Sequence, residues 1–305
     1  MLLKNIAQVL LPAASLVNAQ FSIGTYTSLV GGLDTNSSLL GNYYNYWIKS
    51  TSGIWDLTRS ALEPTTSTGV YTIPCHGSRK NITIEASRSA LVIIDMQNFF
   101  LHPGLSPKAD AGRGVVSATV NMITGFRKAG VKVLWTNWGL DNYDLITMPP
   151  AFLDGFSNNH SSTTTFGSDM GIVPGTNISA GAKLMRGSWN ARPYGPLYDL
   201  QVEGVKSGTD LYFNKNRLSG LWGAQTPLGL YLQENEITTL FFGGVNADQC
   251  VWGTFLDAYY KGFDIVFVED IAATTSPYYA TQMVVYNANL DSFLANSTEI
   301  LPAVS

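Results

Sequence analysis

The chain has 305 residues, 45% of them hydrophobic, which is enough to enclose a sizeable core in one or two domains. Charged residues are only 13% and the formal net charge is −4. Basic clusters are missing, which excludes the electrostatic footprint of a nucleic-acid binder. Low charge with many Tyr, Trp, Ser, Thr and Asn suits an extracellular protein.

The first segment fits that balance. Met1-Leu-Leu-Lys4 leads into an apolar stretch through Val17, closed by Asn18-Ala19. A charged start, a hydrophobic middle and a small-residue end predict a secretory signal over residues 1–19, with Gln20 first in the mature chain. The competing reading is an N-terminal helix of the fold. The stretch is too short for a convincing membrane span, and no later segment reaches spanning length. Asn-x-Ser/Thr triplets at Asn36, Asn81, Asn159, Asn177 and Asn296 predict N-glycans, and so a solvent-facing position for each.

Residues 20–86 lack a helical period and read as an extension packed on the main domain. Within them, Gly69 to Ile73 and Asn81 to Glu85 alternate apolar and polar residues, as the arms of a short hairpin do. From residue 87 to 305 the pattern is α/β. Ala90 to Asp95 is an apolar run ended by a carboxylate, as in a buried parallel strand. Val115 to Lys128 has helical spacing and stops at Gly130. Val131 to Trp135 is the second strand. Residues 139–207 read as a long polar insertion, a length that points to short elements of its own or a binding role. Asp210 to Lys215 is the next strand, Leu228 to Leu232 a short helix, and Leu240 to Val245 a buried strand. After a helix beginning near Cys250 come a strand over Asp264 to Glu269 and a last helix near Ala280 to Leu294. Strand–helix alternation implies a parallel sheet covered on both faces.

Parallel sheets place their chemistry at the carboxyl ends of strands. Three such ends here carry reactive groups, Asp95, Lys215 and Cys250, a plausible set for covalent catalysis if their strands are neighbours. Each also has a bland reading: a loop-capping carboxylate, a solvated lysine, a small buried thiol. Cys250 stands where a strand turns into a helix, a setting that favours thiolate. A Cys75–Cys250 disulfide would consume that thiol, and arithmetic alone leaves it open.

Leu91-Val-Ile-Ile-Asp95-Met-Gln-Asn-Phe-Phe100, Asn214-Lys215-Asn-Arg217-Leu-Ser219-Gly and Gly243-Gly-Val-Asn-Ala-Asp-Gln-Cys250-Val together resemble the isochorismatase-like cysteine hydrolases, in the family's order. Val268-Glu-Asp270 with Ala272 and Ala273 also matches. The resemblance runs from about Ser87 to the C-terminus and omits much of 139–207. It implies a Rossmann-like three-layer α/β/α sandwich with a six-stranded parallel sheet. It implies a triad in which Cys250 attacks a carbonyl, Asp95 moves the proton and Lys215 stabilises the thiolate. It also implies an oxyanion hole from the backbone N–H groups of Asn246 and Cys250, with a cis peptide at Val245–Asn246.

Departures limit what carries over. The metal-dependent nicotinamidases of the family have an Asp-x-His and a further His after the second strand. The stretch from Trp135 to Asp144 has no histidine, and His76, His102 and His160 are the only three in the chain. The expectation is therefore no metal and no cofactor. Phe100, Trp138 and Trp222 are expected as apolar pocket walls, unless they pack in the core, with Arg217 as an anion contact and Arg192 as a further basic candidate. Asp248 reads as a helix-start carboxylate. The expected activity is hydrolysis of a small amide or ureido compound through a thioester, by a secreted enzyme with no membrane partner; the resemblance leaves a homo-oligomer open. Two rivals stand beside it: protonation-driven cleavage of a vinyl ether, which needs no nucleophilic Cys, and a non-catalytic secreted binding protein, which a Cys75–Cys250 bridge would favour.

Overall fold

The computed structural model describes residues 37–42, 44–60 and 69–305. The signal segment at 1–19 and the Asn36 triplet's asparagine lie outside the described residues. The chain divides into two units, with the boundary between Thr66 and Ser67. The first contains an antiparallel meander of β1 (Ser38–Gly41), β2 (Tyr46–Lys49) and β3 (Ile54–Asp56), with Trp47 and Trp55 packed edge to face at 5.9 Å. Tyr46 is buried there and its hydroxyl donates to the Arg59 carbonyl at 2.6 Å.

The second unit opens with the expected hairpin, β4 (Val70–Pro74) against β5 (Asn81–Glu85). It is built around a six-stranded parallel sheet of β6 (Ser89–Ile94), β7 (Lys132–Trp138), β8 (Asp210–Lys215), β9 (Thr239–Val245), β10 (Asp264–Ala273) and β11 (Phe293–Ala295). Its spatial order is β11-β10-β9-β6-β7-β8. The chain starts in the middle, winds outward to β8, returns to β9 beside β6, and winds outward the other way. The carboxyl edge between β6 and β9 is therefore the switch point at which α/β sheets bind ligands.

Period-two alternation sends side chains to two covered faces. Val92, Leu134, Phe242 and Phe267 share one core with Leu228, Leu232, Phe255 and Val284 from the helices Pro227–Glu234, Trp252–Tyr260 and Tyr278–Asp291. The opposite face meets helix Val116–Ala129, where Phe126 packs on Phe241 at 4.9 Å. That helix ends at Gly130 in the left-handed conformation (φ 83°), the stop the sequence signals.

Two expectations need correction. The last helix ends at Asp291, and Phe293–Ala295 is the sixth strand, paired to β10. Three residues are too few to show a strand period, so the run merges with the preceding helical pattern. The polar insertion ends before Pro196, since Pro196–Ser207 is the crossover helix between β7 and β8. Its buried face is Leu197, Gln201 and Gly204, too poor in apolar residues to announce a helix. Gly204 is needed there because a Cβ would fall 2.1 Å from the Arg127 guanidinium and 2.2 Å from the Asp210 carboxylate.

His76, in the hairpin turn, clamps the far edge of the sheet. Its Nδ1 lies 2.8 Å from Glu299 and its Nε2 2.8 Å from Glu269 on β10. Burial lowers its pKa, but the two carboxylates outweigh that and raise it above 6.5. A raised folded-state pKa gives stability that is complete below the unfolded value and lost as pH rises through the folded one. Stability measured by urea titration should fall as pH rises from about 6.5, the unfolded value, through the raised folded one, and His76→Ala should flatten that slope. An unchanged slope in the variant would refute the assignment.

Candidate active site

The three reactive strand ends converge at the switch point. Asp95 directly follows β6, Lys215 ends β8, and Cys250 sits in a π-helical turn, Ala247–Val251, that follows β9 and feeds helix Trp252–Tyr260. All three are buried, at 0%, 4% and 3% exposure. The Lys215 Nζ reaches past the end of β7 to lie 2.9 Å from Asp95 Oδ2. It also donates to the Arg217 carbonyl at 3.0 Å and lies 4.0 Å from the Trp138 ring centroid. Asp95 is held in place through its other oxygen: the Trp138 backbone N–H donates to Oδ1 at 3.0 Å. Its own backbone is left-handed, φ 51°, a conformation Asp tolerates better than most residues.

Close backbone approach sets this geometry. Gly244 pairs with Ile94 at the end of β6 and has φ 124°. A Cβ on it would lie 2.0 Å from the Ile94 carbonyl oxygen, so no other residue fits. The Val245–Asn246 peptide that follows is cis.

Cys250 faces the Asp95–Lys215 pair, and both charges act on its thiol. Burial pushes its pKa up to about 12; Lys215 opposes that rise and Asp95 adds to it. The resting sulfur is therefore a thiol, against the thiolate its place at a helix start suggests. The turn is short, and desolvation outweighs any dipole it offers. Burial likewise raises the pKa of Asp95, with Lys215 pulling it down. Both cysteines are free, so the Cys75–Cys250 bridge does not form.

The other expected residues divide. Phe100 lines a cavity of about 490 Å³ together with Phe99, Phe156, Lys183 and Gln249, the neighbour of Cys250. Trp138 is fully buried over Lys215, with Phe156 at 5.2 Å and Phe166 at 5.0 Å from its ring. Those two phenylalanines stack on each other at 4.2 Å, so residues of the 139–195 segment roof the site. Cys250 itself lines none of the three cavities described. Trp222 and Lys215 line a smaller cavity of about 180 Å³ whose wall includes Thr136, a fully buried hydroxyl. Arg217 lines neither. Its guanidinium donates to the Asn216 and Thr147 carbonyls and lies 4.7 Å from the Trp222 ring. Arg192 lies 5.4 Å from the Tyr198 ring, in a third cavity. Asp248 does not cap its own turn; it accepts from the Thr274 hydroxyl at 2.5 Å and ties that turn to the segment after β10.

Gln97 is the residue whose part was not read from the sequence. Its Oε1 accepts from the Trp138 N–H at 3.1 Å, and its Nε2 donates to the carbonyls of Trp138 at 2.8 Å and Ala191 at 2.6 Å. It is fully buried and holds the β7 end and the roof segment against the Asp95 loop. Its position in the first motif was the only signal for it. Among the described residues, no three His, Cys, Asp or Glu side chains are grouped to hold a metal ion.

A family model described as "Isochorismatase domain" matches residues 89–290. Solved structures with a similar fold include nicotinamidase PncA from Bacillus subtilis, at 24% identity and a TM-score of 0.52, covering 68% of this chain and 99% of that one. A cysteine hydrolase from Pseudomonas syringae has 15% identity and a TM-score of 0.54, with 72% and 93% covered. An isochorismatase family protein from Desulfovibrio vulgaris has 20% identity and a TM-score of 0.51, with 69% and 95% covered.

Proposed function

The chain belongs to the isochorismatase family, and from that membership we propose that it hydrolyses a C–N bond of a small amide or ureido compound through a thioester on Cys250. The observation that carries this reading is the meeting of a carboxylate, an ammonium and a thiol at the sheet's switch point, with the Asp95–Lys215 contact at 2.9 Å. A vinyl-ether hydrolase would have no use for the sulfur.

The chemistry follows from the protonation states. A thiol with a pKa near 12 is not an adequate nucleophile alone at neutral pH. Asp95 takes its proton as the sulfur bonds to the carbonyl carbon, and Lys215 holds the carboxylate ionised and offsets charge on sulfur. The backbone N–H groups of Asn246 and Cys250 receive the oxyanion. Protonated Asp95 then gives its proton to the departing nitrogen, leaving an acyl thioester. Water, deprotonated by Asp95, attacks that ester, and the carboxylic product leaves with the thiol restored. The approach we assign to substrate is the cavity bounded by Phe100 and by Gln249, the neighbour of Cys250.

The test is ammonia release from a panel of carboxamides and ureides by the purified protein. Release by the wild type and none by Cys250→Ala is the expected result. Equal release by both would remove the covalent mechanism.

We further propose that the protein is a secreted glycoprotein, on the strength of residues 1–19 and the sequons. Asn159 and Asn177 are exposed; Asn81 and Asn296 are half-buried. Enzymatic removal of N-glycans should lower the mass of the exported product, whose N-terminus should be Gln20. Intracellular retention with residues 1–19 intact would contradict this.

A further inference from the structure

Lys183 belongs to the roof segment, outside all three sequence motifs, and it is 4% exposed. Two of its three N–H donors are spent, on the carbonyls of Phe156 at 2.9 Å and Thr164 at 2.6 Å. The ammonium lies 5.9 Å from the Phe99 ring centroid and lines the 490 Å³ cavity that Gln249 shares. Among the described residues no carboxylate stands within ion-pair distance of it. By contrast, Lys215 at this sheet edge is paired with Asp95, and Arg127 at the opposite end with Asp210. Among the described residues the one carboxylate lining the same cavity, Asp169, is exposed and accepts from the Gly171 N–H at 3.0 Å.

A buried charge is costly unless it is paired and hydrogen-bonded. Two carbonyls satisfy part of the demand and leave one donor of an ammonium that lines the cavity shared with Gln249, the neighbour of Cys250. We propose that Lys183 recognises an anionic group, a carboxylate in the first instance, on the molecule whose amide meets Cys250. The substrate class is thus an amide or ureide with a negative charge at its far end. This rests on the hydrolase reading of the site and narrows it. Burial already pulls the Lys183 pKa below that of an ordinary lysine, and a bound anion would reverse that pull.

A purely structural lysine would only staple the backbone of Phe156 to that of Thr164. The two roles separate experimentally. Malonamate, succinamate and glutaramate carry a carboxylate at three distances from a carboxamide; their diamides have the same shape without the charge. Binding is measured by calorimetry to Cys250→Ala protein, and kcat and KM with the native thiol, in the Lys183 wild type, Lys183→Met and Lys183→Gln. At least one amic acid should bind the wild-type lysine site about tenfold or more tightly than its diamide, the scale of a charge-assisted hydrogen bond. Both variants should erase that preference by raising KM for the acid about tenfold more than KM for the diamide. Gln retains donors for the two carbonyls, so its loss of preference is not a loss of the staple. The proposal is overturned by equal binding of acid and diamide to the wild type, by binding of neither series, by a preference that survives both variants, or by parallel loss of both ligands. Preferential binding of the acid without turnover by the native enzyme would instead defeat the hydrolase reading and leave the recognition role standing. Turnover without charge preference would do the reverse.

Discussion

Asp95→Asn is expected to lower kcat/KM by about 10²-fold to 10⁴-fold, the usual contribution of a positioned general base. The loss should be large here because the sulfur cannot ionise unaided: burial holds its pKa at about 12. The same carboxylate sets the acid limb of the pH profile. Activity requires its ionised form, so kcat/KM should fall as pH drops through its folded-state pKa. Burial raises that pKa above 3.8 and the Lys215 ammonium pulls it back down. Lys215→Met removes the opposing influence, so the limb should move to higher pH in that variant. A limb that stayed in place, or moved down, would show that another group titrates. No alkaline fall from the thiol is expected below about pH 10, given the raised value.

Asp210→Ala is expected to cost about 3–5 kcal/mol of folding stability, the scale of breaking a buried ion pair from one side. The Asp210 side chain is fully buried and receives the Arg127 guanidinium at 2.8 and 2.6 Å and the Trp135 indole N–H at 2.8 Å. Removing it strands a guanidinium and a buried indole donor together, at the start of β8 beneath helix Pro196–Ser207. The Arg127 Nη2 also donates to the Leu200 carbonyl at 2.7 Å, so the helix loses an anchor as well. Chemical denaturation reads the loss directly, and a change under 1 kcal/mol would mean that water replaces the carboxylate at little cost.

The readable parts of this protein were those in which one chemical rule acts alone. Strand runs such as Ala90 to Ile94 and Leu240 to Val245 are apolar throughout because both faces of the sheet are covered. Lys215 and Cys250 were visible because a strand end fixes a residue's place on the sheet edge. Gly244 stands in the third motif, but the collision it avoids, with Ile94, is long-range and shows only in the fold. What was not legible depends on contacts far apart in sequence. Lys183 looks like any lysine of a polar loop until Phe156 and Thr164 fold over it. Arg217 looks free until the Asn216 and Thr147 carbonyls take its donors. The roof made by Phe156 and Phe166 has no period to betray it. The thiol misled for the same reason: its position near a helix start argues for an anion, and only the buried surroundings reveal that desolvation wins.

The mass of the protein quenched during turnover tests the central claim most directly. With an amide substrate in excess, part of the wild-type protein should gain the mass of the acyl group, on the peptide that contains Cys250, and hydroxylamine should remove it. Substrate turnover that leaves the Cys250 peptide unmodified at every quench time, and persists in Cys250→Ala, would contradict the account.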